Sequence, residues 1–299
     1  MSKTPSFDLV GREDELTRVR ACLRAKRNVL LEGPVGAGKT HLALAVTREI
    51  KSKVYRVDGD NRYSEQKLSG WFDPPTVIKK GFTQESFFPG PLVEAMQEGG
   101  ILFINELNRL PEGVQNVLLP AIDERMIVVP RLGVIEAKEG FLVIATQNPK
   151  EFVATSHLSE AILDRFELIV LDYQSEEEEV SIVAKRLKQT AEGKSADKSL
   201  PLAAVRLIRM TRNHPRVRRG ASIRAAMSIA EIAAVLMKDG MKLEDAFMTA
   251  VLMALPTRIE IEREAESDRS LRSETEALLQ EWAKAVLESL KGGPPPKKS

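Results

Sequence analysis

"NVLLEGPVGAGKTHLALAVTREIK", residues 28–51, reads as a strand, a glycine-rich turn and a helix. "NVLLE" is the near-continuous apolar run expected of a strand buried on both faces. "KTHLALAVTREIK" carries helical patterning. Between them "GPVGAGKT" (33–40) fits G-x-x-x-x-G-K-[ST] in the strand-to-helix context that pattern needs. Gly33, Gly36 and Gly38 permit backbone conformations and close approaches that a Cβ would block. The loop Gly33, Pro34, Val35, Gly36, Ala37, Gly38 then turns backbone N–H groups and a helix N-terminus toward phosphates. Lys39 supplies a mobile positive charge for the β- and γ-phosphates, and Thr40 a hydroxyl for Mg²⁺. His41 is grouped with these binding residues; packing within its own helix is the alternative. The stretch therefore predicts a site for a nucleoside triphosphate and Mg²⁺.

Working outward, further apolar runs occur at "KVYRVD" (53–58), "ILFIN" (101–105), "FLVIAT" (141–146) and "FELIVLD" (166–172), with helical segments following several of them. This alternation predicts an α/β fold: a parallel sheet of the P-loop type with flanking helices. After Asp172 the pattern becomes helical. "SEEEEVSIVAKRLKQ" opens with Ser175 as an N-cap and Glu178 at the capping-box position. No convincing strand follows, so an all-helical second domain is expected. The boundaries read as 1–173 for the nucleotide-binding domain, 174–291 for the helical domain and 292–299 for a disordered tail rich in Gly, Pro and Lys.

Composition narrows the class. The chain has 299 residues, 43% hydrophobic and 29% charged, with a formal net charge of +1. Near-neutrality gives no global pull toward nucleic acid or anionic membrane. Cys22, the single cysteine, cannot form an intramolecular disulfide and reads as a small apolar filler. The opening "MSKTPSFDLVGRED" has no apolar secretory core, and no run reaches the length of a spanning helix, so a cytoplasmic location is expected. His41, His157 and His214 lack metal-ligand spacing with one another or with Cys22.

Hydrolysis needs a second wall opposite the phosphate loop. "ILFINELNR" (101–109) is its candidate, an apolar strand expected to run beside the loop's own strand. Glu106, just past the strand end, can orient or deprotonate an attacking water. A surface carboxylate is the alternative reading.

The ordered series "DLVGRE" (8–13), "GPVGAGKT" (33–40), "PGPLVEAMQEGGILFINELNR" (89–109), "FLVIATQNP" (141–149), "LSEAILDRF" (158–166) and "GASIR" (220–224) resembles the AAA+ ATPases, and among them the MoxR family, related to the magnesium-chelatase ATPase subunit. The resemblance covers roughly residues 8–290. It implies an AAA+ core followed by a helical lid, ATP as the nucleotide, and roles for particular residues. Val10 and Gly11 would lie against the adenine. Asn148 would bridge the attacking water and the γ-phosphate, unless it is simply a turn residue before Pro149. Arg224 would report the γ-phosphate to the lid, unless it joins Arg216, Arg218 and Arg219 on a solvated face. Arg165 would reach a neighbour's ATP, unless it pairs locally with Asp164 or Glu160.

The family usually has aspartate where this chain has Asn105. Asparagine keeps one acceptor oxygen, adds a donor and removes a charge. At about 5 Å and an effective dielectric near 20, that charge is worth on the order of several kcal/mol against Mg²⁺ before solvent compensates. With Thr40 and Asn105 on the metal side, a weaker metal dependence is expected rather than lost nucleotide binding.

The resemblance further implies a ring, a hexamer by family habit, that remodels or activates a protein client, with a von Willebrand factor A domain protein as partner and metalloenzyme maturation as one setting. A nucleotide-dependent scaffold with little hydrolysis is the alternative that Asn105 suggests. A nucleic-acid motor draws support only from "RNHPRVRR" (212–219), and nucleic acid is not the expected partner. Two excursions stand out. Residues 71–88 gather Trp71, Phe72, Phe82, Phe87 and Phe88 and either project toward the ring opening or pack on their own domain. Residues 123–140 read as a hairpin.

Overall fold

The structure, a computed structural model, describes residues 9–148, 158–194, 196–263 and 270–292. The chain forms two compact units that divide between Asp172 and Tyr173. The expected tail lies almost wholly outside the described residues.

In the first unit the strands are β1 (Asn28–Glu32), β2 (Val54–Asp58), β3 (Gly70–Phe72), β4 (Phe87–Pro89), β5 (Ile101–Asn105), β6 (Met126–Val129), β7 (Gly133–Glu136), β8 (Leu142–Gln147) and β9 (Phe166–Val170). Its helices are α1 (Glu13–Arg24), α2 (Lys39–Glu49), α3 (Glu65–Ser69), α4 (Pro74–Lys80), α5 (Pro91–Glu98), α6 (Glu112–Asp123) and α7 (Glu160–Leu163). The main sheet is parallel with order β2-β5-β8-β1-β9. The five apolar runs of the sequence are its five strands.

One expectation is corrected here. β5 does not run beside β1, because β8 lies between them. Runs that are apolar on both faces look alike, so composition carries no information about which are neighbours.

The sheet separates two cores. Leu30, Leu102, Ile104, Val143 and Ala145 face a cluster completed by α5 and α6 through Leu92, Met96, Val114 and Leu118. Val29, Leu31, Ile101, Phe103 and Ile144 face the other, which α1 and α2 complete through Val19, Leu23, Leu42 and Val46. Cys22 packs at the edge of that second cluster. With every other residue of each strand fixed to one core, a one-residue slip would exchange both faces at once, so register is tightly held.

β6 and β7 form the antiparallel hairpin expected within 123–140. β3 and β4 pair within the aromatic excursion. Phe72 meets Phe82 edge-on at 5.0 Å, and Trp71 stacks on Phe88 at 5.9 Å. Arg131, at the hairpin turn, lies over the Phe82 ring at 4.3 Å, so the two excursions touch. The rings pack on their own domain, yet Trp71 and Phe88 keep about half their surface exposed (48% and 49%).

The second unit comprises α8 (Glu176–Lys188), α9 (Leu200–Asn213), α10 (Ile223–Lys238), α11 (Leu243–Ala254) and α12 (Leu271–Leu290) around a core rich in Leu, Ile and Ala. Ser175 and Glu178 form the expected capping box. The all-helical expectation needs one amendment: β10 (Val217–Arg219) pairs antiparallel with β11 (Glu260–Ile261). Two or three residues are too few to show a period of two, and the partners are far apart in sequence.

Candidate functional site

The parallel strands of the first unit all end at one edge of the sheet, and the site is assembled there. β1 delivers the phosphate loop. Gly33 sits against β9's exit, where a Cβ would come within 2.2 Å of the Leu171 carbonyl oxygen. Gly36 (φ 85°) and Gly38 (φ 90°) take left-handed conformations, and Gly38 caps α2. The resulting turn leaves backbone N–H groups and the N-terminus of α2 on the side where phosphates would lie. Lys39 Nζ folds back to donate to the carbonyls of Gly33 (2.6 Å) and Pro34 (2.9 Å). Val35 is exposed, Ala37 buried, and His41 lies exposed on α2.

The opposite wall comes from three strand ends. Thr40 Oγ1 donates to Asn105 Oδ1 at 3.1 Å, joining the two walls directly. Thr146, fully buried near the end of β8, donates its hydroxyl to the same Oδ1 at 3.2 Å. The Thr146 hydroxyl also accepts the backbone N–H of Glu106 at 2.9 Å. Glu106 turns into the left-handed region (φ 61°), which ends β5 abruptly and places the carboxylate beyond the sheet edge. There it pairs with Arg109 at 2.7 Å. Gly59 makes this turn possible, since a Cβ there would stand 2.1 Å from the Glu106 carbonyl oxygen. Asn148 is buried directly after β8, and its carbonyl accepts from Asn108 Nδ2 at 3.4 Å. From β2, Asp58 accepts the Asn105 amide at 3.1 Å. The Arg56 guanidinium on Asp58 holds its carboxyl below the ordinary carboxylate range, against a smaller opposing effect of burial.

The structure thus brings together the loop, Thr40, Asn105, Glu106 and Asn148. Three contributors were not singled out from sequence: Asp58, Thr146 and Arg12. Arg12 follows Val10 and Gly11, is buried, and donates to the carbonyls of Ala37 (2.9 Å) and Asp172 (2.5 Å). It ties the segment before α1 to the phosphate loop. Gly11 adopts φ 63° just before it.

Arg165 is not at this site. Its neighbour Phe166 is in register with Asn28, at the opposite edge of the sheet from the phosphate loop. Across five residues of strand the separation is roughly 15 Å. Arg165 pairs with Asp123 at 2.5 Å, at the end of α6, and not with the Asp164 or Glu160 considered from sequence. Arg224 lies exposed in the first turn of α10, in the second unit. The basic cluster is largely neutralised: Arg212 pairs with buried Glu179 (2.7 Å), Arg216 with Glu274 (2.8 Å) and Arg218 with Glu262 (2.9 Å).

Residues 28–166 match the AAA domain family, dynein-related subfamily. An uncharacterized protein of Staphylococcus epidermidis is 31% identical over 223 residues, covering 73% of this chain and 82% of the relative. The chain belongs to the AAA family. Another relative of this AAA protein, YeaC of Bacillus subtilis, also uncharacterized, is 28% identical and covers 93% of this chain and 90% of its own length. The gas vesicle ATPase GvpN1 of Halobacterium salinarum is 27% identical, with 90% of this chain and 78% of the relative covered. Among solved structures, a point variant of RuvB from Thermotoga maritima superposes with a TM-score of 0.53 at 18% identity, over 84% of this chain and 73% of that one. That likeness concerns the fold: an AAA+ core with a helical C-terminal region.

Proposed function

We propose that this AAA protein is a MoxR-type ATPase that hydrolyses ATP in a ring, each site being completed by Arg165 of a neighbouring copy. The observation that carries the reading is the direct contact of Thr40 with Asn105 beside Glu106. It brings a phosphate-binding wall and a wall with a candidate water-activating carboxylate to one point. The gas vesicle relative adds support for hydrolysis.

In this reading the loop N–H groups and Lys39 hold the β- and γ-phosphates. The oxygens of Thr40 and Asn105 fit the preference of Mg²⁺ for hard oxygen donors, directly or through water. When bound, the ion neutralises charge on the phosphates. Glu106 orients the attacking water and takes its proton. Asn148 holds that water against the γ-phosphate. Val10 and Gly11 cover the adenine, and Arg12 keeps them in place. Arg224 couples the helical unit to the γ-phosphate. Arg165 cannot serve its own loop from the far edge of the sheet, which supports action on a neighbour's ATP, where a cation stabilises transition-state charge. A hexamer, a protein client and a von Willebrand factor A domain partner complete the proposal on the strength of the resemblance, and a cytoplasmic location on the sequence reading.

A second reading has its own observation. Glu106 is engaged by Arg109, and Arg165 by Asp123, so two groups needed for turnover have resident partners. A nucleotide-switched scaffold with little hydrolysis would keep them there. Steady-state ATP hydrolysis against protein concentration separates the two. Turnover per subunit is expected to rise with concentration. Glu106→Gln and Arg165→Ala subunits, each inactive alone, are expected to regain activity when mixed, because the mixture restores intact pairs across interfaces. Wild type that stays inert at every assembling concentration would favour the scaffold. Failure of mixing to restore activity would reject the role in trans.

A further inference from the structure

The end of β2 explains how an asparagine can stand at position 105. β2 and β5 are parallel neighbours with Asp58 in register with Asn105, so the two side chains leave adjacent strand ends together. Asn105 presents either its acceptor oxygen or its donor amide nitrogen to Thr40, depending on which way the terminal amide is turned. Its Nδ2 donates to Asp58 Oδ1 at 3.1 Å, and its Oδ1 accepts from Thr40 (3.1 Å) and Thr146 (3.2 Å). Threonine hydroxyls can donate or accept, and would tolerate either orientation. A carboxylate held by arginine only accepts, so Asp58 is the neighbour that decides. It draws the N–H₂ to itself and turns the oxygen toward Thr40.

We infer that Asp58 is the positioning residue that makes Asn105 an acceptor on the metal side of the site, and that the pair Asp58–Asn105 stands in for a single aspartate at position 105. An aspartate at 105 would need no orienting, since its two oxygens are equivalent. In this chain it would also set a second carboxylate about 3 Å from Asp58, where like charges oppose each other. Asparagine at 105 and aspartate at 58 are therefore one arrangement, not a defect with an unrelated neighbour. The rest of "RVDG" (56–59) serves the same end. Arg56 grips Asp58 through Nε at 2.9 Å and Nη2 at 2.7 Å, fixing the carboxylate. Gly59 N–H donates to the Asn105 carbonyl at 2.7 Å, and its lack of a Cβ lets β2 close against Glu106.

The inference rests on the proposed ATP and Mg²⁺ reading, and its test uses readouts other than turnover. Affinity for a fluorescent ATP analogue is measured with and without Mg²⁺, together with thermal unfolding of the nucleotide-free protein. The variants are Asp58→Ala, Asn105→Asp and the swap Asp58→Asn/Asn105→Asp. Asp58→Ala is expected to leave Mg²⁺-free affinity unchanged and to raise the Mg²⁺ concentration for half-maximal tightening roughly ten-fold, the size of one lost charge-assisted hydrogen bond. Asn105→Asp alone is expected to lower the unfolding temperature, and the swap to restore both the temperature and the Mg²⁺ response. If Asp58→Ala binds nucleotide with the wild-type Mg²⁺ requirement, or the swap is no better than Asn105→Asp, the inference falls while the ATP reading stands. If wild type binds no nucleotide, the ATP reading fails and takes the inference with it.

Discussion

The phosphate loop draws its groups from the consecutive residues Gly33–Thr40, whereas the wall facing it takes Asp58 from β2, Asn105 and Glu106 from β5 and its exit, and Thr146 and Asn148 from β8 and its exit. The first wall is a local object: a strand, a turn whose glycines accept left-handed backbone, and a helix end. The second exists only when three parallel strands are in the right order and register. A local wall is sensitive to its own residues and little else. An assembled wall inherits the precision of the sheet core, so a buried group that contacts no ligand can matter to it.

The largest expected effect tests the local wall. Lys39→Ala removes the cation over the loop, and nucleotide affinity is expected to fall on the order of 1,000-fold with little change in unfolding temperature. Fluorescent-nucleotide titration beside a melting curve checks both. A small loss of affinity would mean that loop N–H groups alone hold the phosphates.

Thr146→Val tests the assembled wall. The valine keeps the volume but removes the donor to Asn105 and the acceptor for the Glu106 N–H, both at a fully buried site. An unsatisfied buried N–H costs about 1–3 kcal/mol. Stability is expected to drop by about that amount in urea, and turnover by roughly ten-fold through a misplaced Glu106. Lost stability with unchanged turnover would show that the turn at Glu106 holds without Thr146.

The smallest effect lies outside both walls and serves as a control. His214 accepts a hydrogen bond from the Arg216 N–H and lies 4.9 Å from the Trp282 ring. Burial first, then Arg216, pushes its pKa below the ordinary value. The unfolded chain therefore takes up this proton first as pH falls. Stability present above roughly pH 6.5 is lost as pH drops through that value toward the lowered one. A fall of about 1 °C in unfolding temperature is expected over that window, flattened in His214→Gln. A steeper slope in wild type that survives the substitution would point to other groups.

The same contrast governs what could be read from the sequence. The loop was legible because its residues are contiguous and each type has one physical purpose. The five sheet strands were legible because a strand buried on both faces must be apolar throughout. Their order was not: β5 and β8 are equally apolar, and β5 was expected beside β1, where β8 stands. Asp58 and Thr146 escaped for the same reason, since their importance depends on which strand ends adjoin Asn105. A usable signal was present, though. An asparagine in a place that usually carries a charge invites a search for a carboxylate at another strand end, and "VYRVDG" supplies one. The partner of Arg165, Asp123, lies on α6, beyond the reach of local reasoning.

The left-handed turn at Glu106 also bears on how this protein would respond to selection in the laboratory. A glutamate at φ 61° sits in a region that asparagine and glycine occupy more easily. Its ion pair with Arg109 is surface-exposed and contributes little. Glu106→Asn is therefore expected to gain up to about 1 kcal/mol of stability while losing the carboxylate. A screen that rewards heat resistance alone would drift toward that substitution and enrich robust, inert molecules. Only a screen that also demands turnover would retain the glutamate.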